Sequence, residues 1–263
     1  MNTIACRVCG AAAQEFARAR VLGRHDVRYD RCPQCGFIQT ETPYWLSEAY
    51  GEAIAASDVG LLRRNFILAT VTRSVIRSFF NGRGKFLDYG GGYGALTRLL
   101  RDAGLDARRH DPICPNLFAR GWDAQAGPLP DFEMLTAFEV FEHLVDPPGE
   151  LDRMLAFSRN ILFTTLLQPE PAPQPDRWWY YCLDTGQHVA LYTRRSLQSL
   201  ADRHGLHLAS NGRDIHLFSA RPVPPRWFSV VSRYRVARLR CPFLASTSLT
   251  EQDYRAARDA AAP

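Results

Sequence analysis

Residues 86–94 read Phe-Leu-Asp-Tyr-Gly-Gly-Gly-Tyr-Gly, and no other stretch of the chain restricts its fold so strongly. An apolar run ends in an acid, one residue is skipped, and glycines then recur at positions 90, 92 and 94. Ala95, Leu96, Leu99, Leu100 and Ala103 follow at amphipathic spacing, and Gly104 closes the series. The pattern predicts a strand, a tight glycine turn and a helix stopped by a C-terminal glycine. In a parallel sheet such a turn lies at the carboxyl edge, where nucleotide-type ligands bind.

A dinucleotide would use the turn and the helix N-terminus to hold its pyrophosphate. S-adenosylmethionine has no phosphate; glycines would let its ribose and methionine portion lie against bare backbone. Asp88, two residues before the first glycine, suits this second ligand, because a carboxylate there can hold the charged amino group directly or through water. Asp111, near the end of the next apolar stretch, can accept ribose hydroxyls in either case. Gly90-x-Gly92-x-x-Ala95 also meets the loose dinucleotide pattern, and a loop without a ligand is a third reading, so this segment alone leaves the ligand open.

Four of seven cysteines are ordered as Cys6-x-x-Cys9 and Cys32-x-x-Cys35-Gly36. Two such pairs match the spacing of a structural zinc site, with redox chemistry and chance spacing as the competing readings. Thiolates about 2.3 Å from Zn²⁺ leave no open position, so this metal is expected to be structural. A module of this size buries little core, and the metal would supply the missing folding energy. Cys114, Cys182 and Cys241 are scattered and are expected to be small buried apolar residues.

The length of 263 residues accommodates one sizeable α/β domain and a small module. No apolar run spans a bilayer, and the N-terminus lacks the apolar core of a signal peptide, which predicts a cytoplasmic protein. A net charge of +5 does not by itself imply nucleic acid. The expected organisation is a zinc-binding module over 1–45, a helical linker over 46–83, a main domain over 84–221 and an arginine- and aromatic-rich tail over 222–263. In the module, short strands are expected at Val27–Arg31 and Gly36–Thr40. The linker carries one helix, or two broken ones, between Asp58 and Phe80. Strands of the main domain are expected at Lys85–Asp88, Ala107–Asp111, Phe132–Phe138, Ile161–Leu166, Leu206–Ala209 and Ile215–Ala220. Helices are expected from about Tyr93, from Pro147 and after Thr193. This alternation predicts a doubly wound parallel sheet with a late hairpin. The proline-dense Gln168–Pro175 is expected to be a semi-rigid loop over the sheet's carboxyl edge.

Two segments in this order resemble a family. Phe-Leu-Asp-Tyr-Gly-Gly-Gly-Tyr-Gly resembles the first motif of the Rossmann-like (class I) S-adenosylmethionine-dependent methyltransferases. Glu139-Val-Phe-Glu142-His143-Leu144-Val-Asp146-Pro147 looks like the segment that follows their fourth strand. The resemblance covers about residues 84–220. It implies an α/β fold with a doubly wound, mostly parallel, seven-stranded sheet, preceded here by a zinc-ribbon-like module. By matching positions, Asp88, Gly90, Gly92 and Gly94 would line the cofactor site. Asp111 would take the ribose, and Phe138 and Glu139 would border the donor. Gly91 stands where many members carry cysteine or another small residue. Glu142 and His143 would either act in catalysis or fix the following turn.

The stretch Trp178-Trp179-Tyr180-Tyr181, followed by Gly186-Gln187-His188, is similar to one in methyltransferases with an N-terminal cysteine-rich zinc module. Among them are sugar C-methyltransferases, whose matching histidine is the proposed base; His188 holds that position. Gln187 stands where an acid is frequent, which weakens charge support for a base. An imidazole with an ordinary pKa near 6.5 can accept a hydroxyl or α-carbon proton; the alternative is a hydrogen-bonded histidine that orders the loop. The aromatic run would wall an acceptor pocket or pack the loop onto the sheet.

The resemblance implies methyl transfer to oxygen or carbon of a small-molecule acceptor: a sugar nucleotide, a glycan intermediate or a secondary metabolite. A second reading is an RNA methyltransferase that grips phosphates through the module and the tail. Against it, no Asn/Asp-Pro-Pro-Tyr-like segment follows the fourth strand, and Glu15, Asp26, Asp30 and Glu41 balance the module's basic residues. A third reading is a scaffold that binds the cofactor without turnover.

Overall fold

A computed structural model describes residues 4–51, 58–124, 132–244 and 246–260. Residues 1–3 of the expected module, 52–57 of the expected linker, and 245 and 261–263 of the tail lie outside it. In chain order the strands are β1 (Ile4–Ala5), β2 (Ala12–Val21), β3 (His25–Arg31), β4 (Ile38–Thr40), β5 (Lys85–Tyr89), β6 (Asp106–His110), β7 (Met134–Ala137), β8 (Ile161–Thr164), β9 (Ala190–Leu191), β10 (His207–Ser210) and β11 (Ile215–Ser219). The α-helices are α1 (Leu46–Ala49), α2 (Leu61–Phe79), α3 (Ala95–Asp102), α4 (Pro147–Leu155), α5 (Arg194–Arg203), α6 (Pro225–Val231), α7 (Tyr234–Arg240) and α8 (Thr250–Ala260). None of the described helices is long and apolar enough to cross a membrane.

The chain divides into two compact units that do not follow sequence order. The first comprises Met1–Ala55, Glu139–Arg153 and Phe163–Pro222. Its five-stranded sheet has the order β1-β2-β3-β4-β9, with antiparallel pairing throughout. The long β2–β3 hairpin turns through Leu22 and Gly23, both at positive φ. Val21, Val27, Tyr29, Ile38 and Trp45 form a core with Tyr180, Tyr181, Val189 and Leu191. Much of the 178–192 segment is therefore core of the cysteine-bearing sheet. β10 and β11 pair antiparallel in this unit, beside the end of β8. Thr193 caps α5 through a reciprocal bond with Ser196, and Gly205 at positive φ follows its end.

The second unit comprises Ala56–Phe138, Met154–Leu162 and Val223–Pro263. β5 lies between β6 and β7, parallel to both. Every residue of β7 and all of β5 but Lys85 are buried, as in a parallel core covered on both faces, and the buried polar pair among them, Asp88 and Thr136, is hydrogen-bonded. Across both units the alternating part supplies six described strands, where seven were expected: β5, β6, β7, β8, β10 and β11. Residues 119–123 furnish only a single bridge, Arg109 with Asp123, because a turn closed by Trp122 N–H on the Ala119 carbonyl leaves little extended chain.

Asp58–Phe80 yields the single helix α2, and the described residues of the tail contribute the helices α6, α7 and α8. Ser74 on α2 donates to the Val231 carbonyl at 2.9 Å, and Arg240 donates to the hydroxyls of Ser74 and Ser78. α8 is anchored by Asp253, which accepts Nε and Nη2 of Arg101 at 2.8 and 2.7 Å and Nη1 of Arg98 at 2.7 Å. The Arg101 guanidinium, 1% exposed, also lies 3.4 Å from the Trp122 ring centroid. Without Asp253, Arg101 would keep only one carboxylate, the partly exposed Asp106 at 2.9 Å, and Arg98 would keep Asp102. Asp253→Ala is therefore expected to destabilise the protein by about 1–3 kcal/mol, read as a lower midpoint in urea unfolding.

Candidate functional site

In the second unit, β5 delivers Asp88 to the strand end, 2% exposed. Its oxygens accept the hydroxyls of Thr136 on β7 and Thr97 on α3, both at 3.0 Å. Burial pushes the carboxyl up to about 6, with these two hydrogen bonds opposing the rise. The glycine turn follows. Gly90 N–H donates to the His110 carbonyl at 2.8 Å, and Gly94, at φ 86°, is the residue before α3. At Gly92, φ 53°, an added Cβ would meet no protein atom within 4 Å, so the turn borders open space. A Cβ on Gly91, by contrast, would fall 2.7 Å from Asp88 Oδ2 and 2.8 Å from Arg109 Cγ. Position 91 is thus crowded where Gly92 is open, and a glycine fits it without a clash.

Asp111 is already engaged. One oxygen accepts Gly92 N–H at 2.8 Å, and the other accepts Ile113 and Cys114 N–H at 2.9 and 2.8 Å. It fixes the turn and retains lone pairs for a further donor. Arg109 was not anticipated. Largely buried, it donates to the Gly92 carbonyl, to the Cys114 carbonyl at 2.9 Å and to Asp123 at 2.7 Å, clamping the turn to the next strand. Phe138 is buried just after β7.

In the first unit, Glu139 is exposed at φ 55°, a left-handed conformation unusual outside glycine. Thr164 Oγ1 accepts its N–H at 2.9 Å and donates to its carboxylate at 3.1 Å. A single 3₁₀ turn, Phe141–His143, then carries Glu142 and His143. Val189 N–H donates to the Glu142 carbonyl at 2.9 Å, and the Tyr192 hydroxyl donates to the Phe141 carbonyl at 3.0 Å. These two bonds bring together segments far apart in sequence, so Glu142, His143 and His188 converge. One carboxylate oxygen and one nitrogen of each imidazole lie within 4.8 Å of one another. The two rings are perpendicular, 5.0 Å apart.

His188 Nδ1 lies 2.7 Å from the Tyr180 carbonyl, and His143 Nδ1 lies 3.1 Å from the Gln187 carbonyl. A carbonyl only accepts, so His188 carries its proton on Nδ1 and keeps a lone pair on Nε2, whereas His143 Nδ1 faces both the Gln187 carbonyl and a hydroxyl that can donate or accept. The Tyr50 hydroxyl stands 3.0 Å from His143 Nδ1, a neighbour the sequence reading missed. Burial holds His143 down to about 3, helped by His188, and His188 down to about 4. Glu142 itself is fully buried.

The aromatic run divides. Tyr181 packs edge-on against Tyr29 at 5.2 Å as core, Tyr180 lies 4.6 Å from the His188 ring, and Trp179 is 73% exposed. The proline-dense loop is tied within its own unit by Gln168, which donates to the Gly36 and Leu191 carbonyls.

The four expected ligand cysteines also converge. The sulfurs of Cys6 and Cys35 are 3.6 Å apart, those of Cys9 and Cys32 are 3.5 Å apart, and all four lie within 4.8 Å of one another. Four thiolates about 2.3 Å from one ion would be about 3.8 Å apart, so the set fits a tetrahedral metal. Gly10 and Gly36, both at positive φ, close the two knuckles onto the Cys6 and Cys32 carbonyls. Cys114, Cys182 and Cys241 are only half-buried, short of the buried role expected of them.

A family described as "Methyltransferase domain" matches residues 63–211. No curated protein matches the chain. Among solved structures, the 1,6-didemethyltoxoflavin-N1-methyltransferase of Burkholderia thailandensis is 12% identical, with a TM-score of 0.50 over 77% of this chain and 97% of that one. TnmH is 20% identical, with a TM-score of 0.48 over 68% of this chain and 62% of that one. CalO1, a methyltransferase in calicheamicin biosynthesis, is 15% identical, with a TM-score of 0.41 over 59% of this chain and 54% of that one. The chain thus spans less than two thirds of TnmH and of CalO1.

Proposed function

We propose that this chain, a member of the methyltransferase-domain family, transfers a methyl group from S-adenosylmethionine to a small-molecule acceptor. The observation that carries the choice of donor is the pairing of a buried carboxylate, Asp88, with a glycine turn that borders open space at Gly92. Gly90, Gly92 and Gly94 would lie against the donor, Asp111 would accept a ribose hydroxyl, and Phe138 and Glu139 would border it. When bound, S-adenosylmethionine supplies a methyl group activated by its positively charged sulfur. The chain's own task is then to align the acceptor and remove its proton.

His188 is the proposed proton acceptor. Its Nδ1–H is held by the Tyr180 carbonyl, which leaves Nε2 unprotonated and fixes the ring. Burial keeps the imidazole neutral at pH 7, ready to accept, and the Glu142 carboxylate in the same cluster stabilises the cation that forms. His143, oriented by Gln187 and Tyr50, positions this pair. We also propose that Cys6, Cys9, Cys32 and Cys35 hold a structural Zn²⁺ with no open coordination position.

Labelled S-adenosylmethionine incubated with the protein and native extract tests the acceptor class. Label is expected in the small-molecule fraction, and not with Asp88→Ala. Label confined to RNA would overturn the acceptor class, and label nowhere would overturn turnover. The donor site has its own pH test. The ionised Asp88 carboxylate is the form that attracts the donor's amino group, and it predominates above about 6. Affinity measured by calorimetry is expected to be flat above pH 7 and to weaken below pH 6, approaching tenfold per pH unit. Asp88→Asn is expected to bind weakly at every pH.

A further inference from the structure

Glu142, His143 and His188 have a second chemistry available. Metal-ligating histidines characteristically donate their other ring N–H to a carbonyl or carboxylate, which fixes the tautomer and turns the lone pair to the ion. Both imidazoles set Nδ1 against a backbone carbonyl, His188 against that of Tyr180 at 2.7 Å and His143 against that of Gln187 at 3.1 Å. The third group is a buried carboxylate, and one of its oxygens lies within 4.8 Å of a ring nitrogen of each imidazole. Two neutral imidazoles and one carboxylate form a set used for Zn²⁺ with one coordination position left open. The set contains no thiolate, so it is chemically distinct from the four-cysteine cluster in the same unit.

We propose that Glu142, His143 and His188 form a second divalent-metal site of the Zn²⁺ type, and that the metal competes with proton transfer by taking the His188 lone pair. The two turns that present the ligands are joined by backbone hydrogen bonding from Val189 to Glu142, so the set is assembled before any ion arrives. The open fourth position would take water or an oxygen or nitrogen of a small ligand. The competition rests on His188 being the proton acceptor; the binding site does not.

The test is calorimetric titration of the full chain, its four-cysteine site loaded, with Zn²⁺, followed by metal analysis after desalting. One further equivalent is expected for the wild type, and none for Glu142→Gln or His188→Gln. His143→Gln asks the same question should Glu142→Gln fail to fold. Absence of the further equivalent in the wild type, or its persistence in both ligand variants, would overturn the site. Methyl transfer is expected to fall in step with occupancy of this equivalent. Full turnover by the occupied protein would leave the metal site standing and overturn the competition together with His188 as base. A metal-free His188→Ala protein with wild-type turnover would overturn the base alone.

Discussion

Alanine at position 188 is expected to lower methyl transfer by about 10²–10⁴-fold, the usual worth of a positioned general base, with affinity for S-adenosylmethionine unchanged. The reasoning is geometric before it is electrostatic. The Tyr180 carbonyl, 2.7 Å from Nδ1, leaves Nε2 as the only basic nitrogen of the ring. Burial lowers the imidazole to about 4, so it is neutral across the physiological range, and the cost of charging it must be offset when the proton arrives. The buried Glu142 carboxylate in the same cluster is the group placed to offset it. A histidine that merely ordered its loop would also lower activity on removal, so the decisive reading is chemical rescue. Imidazole added to His188→Ala is expected to restore part of the rate without altering the melting temperature. Turnover that stays at the wild-type level in His188→Ala would end the assignment.

What could be read from the residues alone depended on how local the signal was. β8 opens on the buried apolar run Ile161–Phe163, and α5 carries a capping threonine and a terminal glycine; both were legible because each signal lies within one element. Asp88 was legible from its spacing to the glycines, but its burial partners were not. Thr97 and Thr136 come from a helix and a strand whose register cannot be known before the sheet is assembled. Arg109 looked like one of many arginines on an amphipathic strand, yet its pairing opposite Asp88 sends the guanidinium into the glycine turn. The β2–β3 hairpin was overlooked, although Ala-Arg-Ala-Arg in β2 alternates with the period of a strand. The convergence of Glu142, His143 and His188 depends on long-range bonds to Val189 and Tyr192, which no local pattern announces.

Serine at both Cys6 and Cys9 is expected to produce the largest loss of stability of any change considered, together with loss of one bound metal per chain. Structural zinc in small modules contributes about 10–16 kcal/mol, comparable to the roughly 5–15 kcal/mol that stabilises an entire domain. The consequence should extend beyond the knuckles because of what they hold. The Cys35 carbonyl accepts the Thr193 hydroxyl at 2.6 Å, and a Cβ on Gly36 would strike Thr193, so the second knuckle sits directly on the N-terminus of α5. β4, three residues past Cys35, pairs with β9 through Ile38 with Leu191 and Gln39 with Ala190. His188 lies two residues before that strand, and Val189 gives its carbonyl to Thr40 N–H at 3.1 Å. Loosening the knuckles should therefore free the segment that fixes the His188 ring. Metal analysis, thermal unfolding and turnover of the double variant, measured together, are expected to fall as one. A variant with wild-type metal content and melting temperature would remove zinc from the account. One that lost its metal and melted early but kept full turnover would show that the knuckles do not hold His188 in place.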